Sequence, residues 1–414
     1  MFKALTVLSR NQKKLLPVIL LLMLSGAALE VVGLSLVIPL LEIITNKPDN
    51  KVYTIMIDIF PNMSREKTIH YILILFTTFY ILKNAYLFLL VKILAKYSFS
   101  IKADINNRLM KCYVNAPYDF HLGVNSAQLI RNVTIETTQL VGNALNPLLT
   151  FTTEVMIIIS LAIFLVFIEP VGTTVAILML IFSSYIFQRL IRNRLIILGR
   201  LRQKADGFLI QTAQEALGGL KDVRVNSSED YFFDRFAAHN SQSASSSEKQ
   251  FAWVQSPRMY LEAVAIITLA AILFLLQTDN QQSVETVTKM GVFGLAAFRL
   301  LPSANRVLSA MNSLRFSTPV VEKVIEQLNI ISNIEKNNNN EKVSYSRIEF
   351  VNQIDIENVS YAYPEQKSNT LNDVSFSFTK GECIGVIGKS GSGKTTLVDI
   401  ILGLLSPSHG TVCV

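Results

Sequence analysis

Six stretches of this sequence are apolar for long enough to cross a lipid bilayer, and this limits the fold before any motif is considered. They run from about Leu15 to Leu41, Ile69 to Leu94, Leu148 to Ile168, Val171 to Ile191, Tyr260 to Gln277 and Val284 to Ala310. Only "EPVG" separates the third from the fourth, and Arg299, Asn305 and Arg306 interrupt the sixth. In hydrocarbon every backbone polar group must be satisfied inside the protein, so runs of this length mean helices. Half of the 414 residues are apolar and only 17% are charged, which sets aside an ordinary soluble class. The net charge of +7 then reflects basic cytoplasmic loops, and no nucleic-acid partner is expected.

Lys and Arg set the orientation. The N-terminal arm carries Lys3, Arg10, Lys13 and Lys14, and the connections after spans two and four are rich in both. The opposing connections are shorter or poorer, so the rich side is cytoplasmic. An even span count returns the C-terminal segment to the same side. No cleavable signal peptide is evident. Both long cytoplasmic connections read as continuations of the helices, the second breaking at Gly218-Gly219. Outside, Val52 to Phe60 has the pattern of a short interfacial helix, with an ordinary loop as the equal alternative.

The membrane domain covers residues 1–330. Residues 331–346, which end in "NIEKNNNNEKVSYS", read as a linker because an asparagine run has nothing to bury. A strand-and-turn pattern follows over 347–414. Within it, Gly388, Lys389, Ser390, Gly391, Ser392, Gly393, Lys394 and Thr395 satisfy G-x-x-x-x-G-K-[ST]. Such glycines let backbone N–H groups converge on phosphate oxygens, while the following helix adds its positive end. Lys394 is placed for the β- and γ-phosphates, Thr395 for Mg²⁺, and Thr396 continues the helix start. The run "CIGVIG" before the loop is expected to be a strand, with Cys383 buried in it. Cys112, Cys383 and Cys413 have no pairing or metal spacing, and the four histidines are scattered. Upstream, Tyr361 or Tyr363 is placed to stack on a base, or either ring serves the core.

Six spans, long cytoplasmic helices and "VSYAYP … GKSGSGKTT" resemble an ATP-binding-cassette exporter with fused membrane and nucleotide domains. The resemblance implies a polytopic α-helical membrane domain of exporter type (type IV). The N-terminal part of an α/β phosphate-loop ATPase domain would follow it. It also implies ATP and Mg²⁺ as cofactors, Tyr363 as the adenine-stacking residue and a homodimer. Coupling helices would lie near Tyr118 to Gln128 and Gly218 to Asn226. The stretches "SPRMYLEAVAI", "AAFRLLPSANRV" and, more loosely, "FYILKNAY" are similar to bacterial lipid-linked oligosaccharide flippases of protein N-glycosylation. That likeness implies an inner-membrane transporter of a polyprenyl-pyrophosphate-linked glycan. An exporter of other lipids or drugs, and a non-hydrolysing membrane scaffold, remain as alternatives.

Cations inside spans are costly and face a protein interior or a wet cavity. Lys83, Arg258 and Arg299 match the flippases' basic belt by resemblance, with Lys in place of Arg at the first. The alternatives are internal pairs: Lys83 with Glu30, Arg258 with Glu262, and Glu154 with any of them. Arg306 is open to snorkelling towards the cytoplasm, or to pairing with Glu154 like the others. The exporters' glutamine loop, signature motif, metal-binding aspartate, catalytic glutamate and switch histidine are not found in this sequence, so no catalytic residue is assigned. The expectation is an incomplete sequence or interrupted frame of a longer transporter, with a split protein as the second account.

Overall fold

The computed structural model describes residues 8–36, 65–168, 170–276, 284–340, 350–363 and 368–414. Within these it gives the backbone alone at 65–69, 168, 171–172, 176, 268–269, 271–276, 284–299 and 333–340. The expected interfacial helix at Val52 to Phe60 lies outside the described residues. The chain forms two compact units, Met1–Arg108 with Arg131–Leu328, and Leu109–Ile130 with Asn329–Val414.

The first unit is helical. Helix α1 (Arg10–Ser35) opens on a capping box in which the Ser9 hydroxyl accepts from the Gln12 amide and the Gln12 side chain accepts from the Ser9 amide. Helix α2 (Arg65–Asn115) leads to the short α3 (Tyr118–Leu122) and α4 (Ser126–Arg131). A π-turn (Asn132–Glu136), α5 (Thr137–Leu140), a second π-turn (Val141–Leu145) and α6 (Asn146–Ile168) form one continuous rod. Then come α7 (Pro170–Gly218), the short α8 (Leu220–Val225), α9 (Glu229–Leu276), α10 (Val284–Phe316) and α11 (Thr318–Asn340).

Among the described residues four helices are long and apolar enough to cross a membrane: Arg10–Ser35, His70–Asn115, Ser126–Phe167 and Thr173–Gly218. Helices α9 and α10 contain the expected fifth and sixth spans, much of whose side chains lie outside the described ones. At 51 and 49 residues, α2 and α7 reach about 75 Å, against a hydrocarbon core of about 30 Å. They therefore continue well past any bilayer. Leu21, Phe88, Phe167 and Leu190 point outward, as a lipid solvent requires. Inside, Ala27 meets Ile157, Leu161, Leu165 and Leu300, while Phe187, Ile191 and Leu195 pack with Leu261, Ala304 and Leu308. These two cores tie α1 and α10 to α6, and α7 to α9 and α10.

Beyond the second core lies a charged one. Glu136, on the first π-turn, is 2% exposed, 3.4 Å from the Arg131 guanidinium, and accepts from Gln203 at 3.2 Å. Arg202 pairs with Asp206 at 3.3 Å and lies over the Phe316 ring. Burial pushes the Glu136 carboxyl above the usual carboxylate range, against the pull of Arg131, and lowers Arg202 from the usual guanidinium value.

In the second unit, β1 (Gln353–Tyr361) pairs antiparallel with β2 (Leu371–Thr379) and with β3 (His409–Cys413), in the order β2-β1-β3. Helix α12 (Lys394–Ile401) closes the core of Ile356, Val359, Tyr361, Leu371, Leu397, Ile400 and Leu405.

Three expectations change here. "CIGVIG" joins no ladder, because the described sheet offers it no neighbouring strand. Cys383 is consequently exposed rather than buried, and Ile387 stands almost fully in solvent. The expected linker begins as helix: α11 continues to Asn340, since extending an established helix adds a hydrogen bond for each residue fixed. Residues 341–349 lie outside the described ones. The second unit also takes in Leu109–Ile130.

Candidate nucleotide cradle and membrane cations

The loop Gly388–Thr395 wraps the start of α12. Gly391 and Gly393 have φ of +80° and +86°, a conformation that side chains resist. A Cβ on Gly393 would also stand 2.8 Å from Leu371. These constraints explain the glycine spacing: the backbone must turn its N–H groups inward and seat the helix against β2. The Lys394 ammonium donates to the carbonyls of Gly388 and Lys389 at 2.9 and 2.7 Å, lying back across the loop. Tyr363, Ser368, Asn369, Thr370, Ser390, Gly391, Gly393, Lys394, Thr395 and Thr396 line a cavity of about 500 Å³. Lys389 and Ser392 belong to the loop outside that lining.

The two tyrosines separate by environment. Tyr361 is 3% exposed in the core. Its hydroxyl donates to Asp119 of α3 at 3.2 Å, and burial followed by the Asp119 charge and bond pushes its phenol up to about 12. Tyr363 lies on the cavity, its hydroxyl 2.8 Å from that of Thr396 and its ring edge-on to Tyr361, with centroids 5.1 Å apart. No sequence pattern announced Asp119, which lies 242 residues from its partner.

The donor set suits a magnesium nucleotide. Lys394 and converging amides answer polyphosphate, the exposed Thr395 hydroxyl offers a hard oxygen to Mg²⁺, and Tyr363 offers an aromatic face. No cluster of three or more His, Cys, Asp or Glu residues capable of holding a metal occurs among the described residues.

The membrane cations are held differently. Lys83 is 7% exposed, donates to Glu30 at 3.1 Å and lies over the Tyr80 ring. The belt position is therefore an internal pair between α1 and α2 here, the alternative the sequence left open. Arg258 pairs with Glu262 at 3.1 Å, both exposed. With Leu261, Leu301, Pro302 and Asn305 they border a mainly apolar cavity of about 410 Å³. Arg306 does not snorkel freely: it forks onto Glu154, the longer bond being 3.1 Å, and reaches Ser303. Arg299 lies on α10 with its side chain outside the described ones.

Membrane-length helices joined in one chain to a glycine-bounded phosphate cradle define a polytopic membrane protein with a nucleotide-type site. Family comparison sharpens this: residues 15–294 match the ABC transporter transmembrane region, and residues 371–414 match the ABC transporter family model. The chain belongs to the ABC transporter family, as a helical membrane domain followed by part of a nucleotide-binding domain.

Similar curated proteins include the ATP-dependent lipid A-core flippases of Pseudomonas savastanoi pv. phaseolicola and Aromatoleum aromaticum. The first is 26% identical over 315 residues, covering 74% of this chain and 50% of the relative. The second is 26% identical over 335 residues, covering 78% and 52%. The chain thus spans about half the length of the curated relatives it matches.

Proposed function

We propose that this chain serves an ATP-driven lipid transporter of a bacterial inner membrane, with the cradle cytoplasmic and two copies forming the transport unit. The observation that carries this reading is the joint placement of Lys394, Thr395 and Tyr363 around one cavity in a chain of membrane-length helices. Lys394 would leave the Gly388 and Lys389 carbonyls for phosphate oxygens, Thr395 would hold Mg²⁺, and Tyr363 would position the base. Bound Mg²⁺-ATP would supply the phosphoryl free energy.

The proposed substrate is a polyprenyl-pyrophosphate-linked oligosaccharide. Arg258 fits it best: the guanidinium is exposed beside an apolar cavity, and a diphosphate would compete with Glu262 for it. Arg299 would act on the same helix pair. Lys83 would take part only after its bond to Glu30 opens. Lipid A-core is the second reading, supported by the printed function of the relatives.

The test is flipping in proteoliposomes by this chain extended with the remaining ATP-binding segments of its relatives. Both glycolipids are offered, with and without ATP. ATP-dependent movement of the polyprenyl diphosphate, reduced by Arg258→Ala, is expected. Movement of lipid A-core alone would replace the substrate assignment, and movement of neither would remove the transport reading.

A further inference from the structure

Helix α9 carries a proline in its interior, Pro257, one residue before Arg258. A proline there has no N–H for the carbonyl four residues earlier, and its ring pushes against that carbonyl. The carbonyl is that of Trp253. It is met from the side: the Asn312 amide of α10 donates to it at 2.8 Å, and the Ser256 hydroxyl at 3.1 Å. One residue on, the Val254 carbonyl accepts from the Ser309 hydroxyl, also of α10, at 2.8 Å. Ser309 and Asn312 are three apart on one face of α10, and both serve the break.

Asn312 is fully buried, and its neighbours fix its orientation. Its Oδ1 accepts from the Gln188 side chain of α7 at 3.2 Å, and the Gln188 carbonyl in turn accepts from Arg315 at 3.0 Å. A backbone carbonyl only accepts, so the Asn312 amide nitrogen is the atom that must face Trp253. Beyond the break, Tyr260 donates to the Ser183 carbonyl of α7 at 3.0 Å. Arg258 thus stands between two lateral anchors, in the first turn after a gap in its own helix's ladder. Leu261 and Glu262 of α9 border its cavity on one side, and Leu301, Pro302 and Asn305 of α10 on the other. A helix bends where its ladder is interrupted, so the bond that closes the gap sets the direction of the turn carrying Arg258.

We infer that Asn312 is a positioning residue for Arg258: it supplies from α10 the hydrogen bond that Pro257 removes from α9, and so holds the guanidinium at the cavity. The inference rests on the reading of Arg258 as a diphosphate contact and names what aims it. Asn312 then matters to Arg258 while position 257 lacks an N–H, and loses that role once the N–H is returned.

The experiment uses the full chain in phosphatidylcholine nanodiscs, titrated calorimetrically with farnesyl diphosphate, and melting is followed alongside. Asn312→Leu should weaken probe binding about fivefold, the scale of one hydrogen bond. Pro257→Ala restores the internal donor, and in that background Asn312→Leu should change the affinity by less than about twofold. Ser309→Ala removes the neighbouring bond alone and keeps the test open should Asn312→Leu fail to fold. It should cost about twofold beside Pro257 and nothing beside Pro257→Ala.

An equal change in both backgrounds, or a lower melting point with affinity unchanged, would overturn the positioning role and leave Arg258 standing as the contact. Failure of the unaltered chain to bind the probe, or undiminished binding by Arg258→Ala, would remove the diphosphate reading and the positioning role with it.

Discussion

Lys83 and Lys394 are the same residue type put to opposite uses. Lys83 is enclosed between two membrane helices with its charge answered by Glu30 and by the face of Tyr80. Lys394 rests on two backbone carbonyls, and no ion pair to it occurs among the described residues. Carbonyl dipoles hold an ammonium in place without cancelling its charge. A carboxylate neutralises it. The membrane pair is therefore satisfied without a ligand, whereas the cradle keeps a full positive charge for one. A buried cation is in itself weak grounds for assigning a substrate site, and the partner that holds it is the better guide.

The largest expected effect tests the enclosed pair. Lys83→Ala leaves the Glu30 charge buried without its ammonium and should cost about 3–5 kcal/mol of stability in detergent. Lys83→Met with Glu30→Gln should recover most of that loss. Equal melting of the single variant and the parent would mean that the pair is solvated, and the contrast with Lys394 would fail. Next, Lys394→Ala should weaken Mg²⁺-MANT-ATP binding by about 100-fold, the scale of one or two charge-assisted hydrogen bonds, with little change in melting. Retained affinity would show that the free charge is not what the cradle offers.

A smaller effect concerns the charged core. Because the folded Glu136 carboxyl titrates above its unfolded value, its contribution to stability is greatest at low pH. It declines as pH rises from the ordinary carboxylate value through the raised one. Glu136→Gln should flatten that part of the stability–pH profile, and an unchanged slope would contradict the burial argument. Smallest of all, Arg258→Ala should alter stability by within about 0.5 kcal/mol, since its pair with Glu262 is exposed. A larger loss would place Arg258 with Lys83 as a structural cation.

The features written locally in the chain were legible. Hydrophobic length gave the long helices, Gly218-Gly219 marked the end of α7, and the glycine spacing announced the phosphate cradle ahead of α12. Features that depend on rotation about a helix axis or on distant partners were not. Whether Lys83 meets Glu30 or a cavity is decided by how α1 and α2 face each other across a separation of 53 residues. Composition cannot report that. "CIGVIG" has the composition of a strand, but a strand also needs a neighbour, which no local pattern supplies. Asp119 was invisible for the same reason, and Glu154, 152 residues before Arg306, could be named only as one partner open to any of the cations.

The two π-turns between α4 and α6 carry a consequence for the chain's editing history. A π-turn accommodates one residue more than the α-helix it interrupts, so each resembles a tolerated insertion. Removing one residue from Val141–Leu145 would regularise the rod and leave its two flanks nearly in phase, because the π-turn already absorbs that residue within one turn. Removing one from the α-helical Thr137–Leu140 instead would turn everything upstream by about 100° and carry Glu136 off Gln203 of α7. Single-residue deletions along Asn132–Leu145 should therefore be phase-sensitive, tolerated within a π-turn and disruptive between the two.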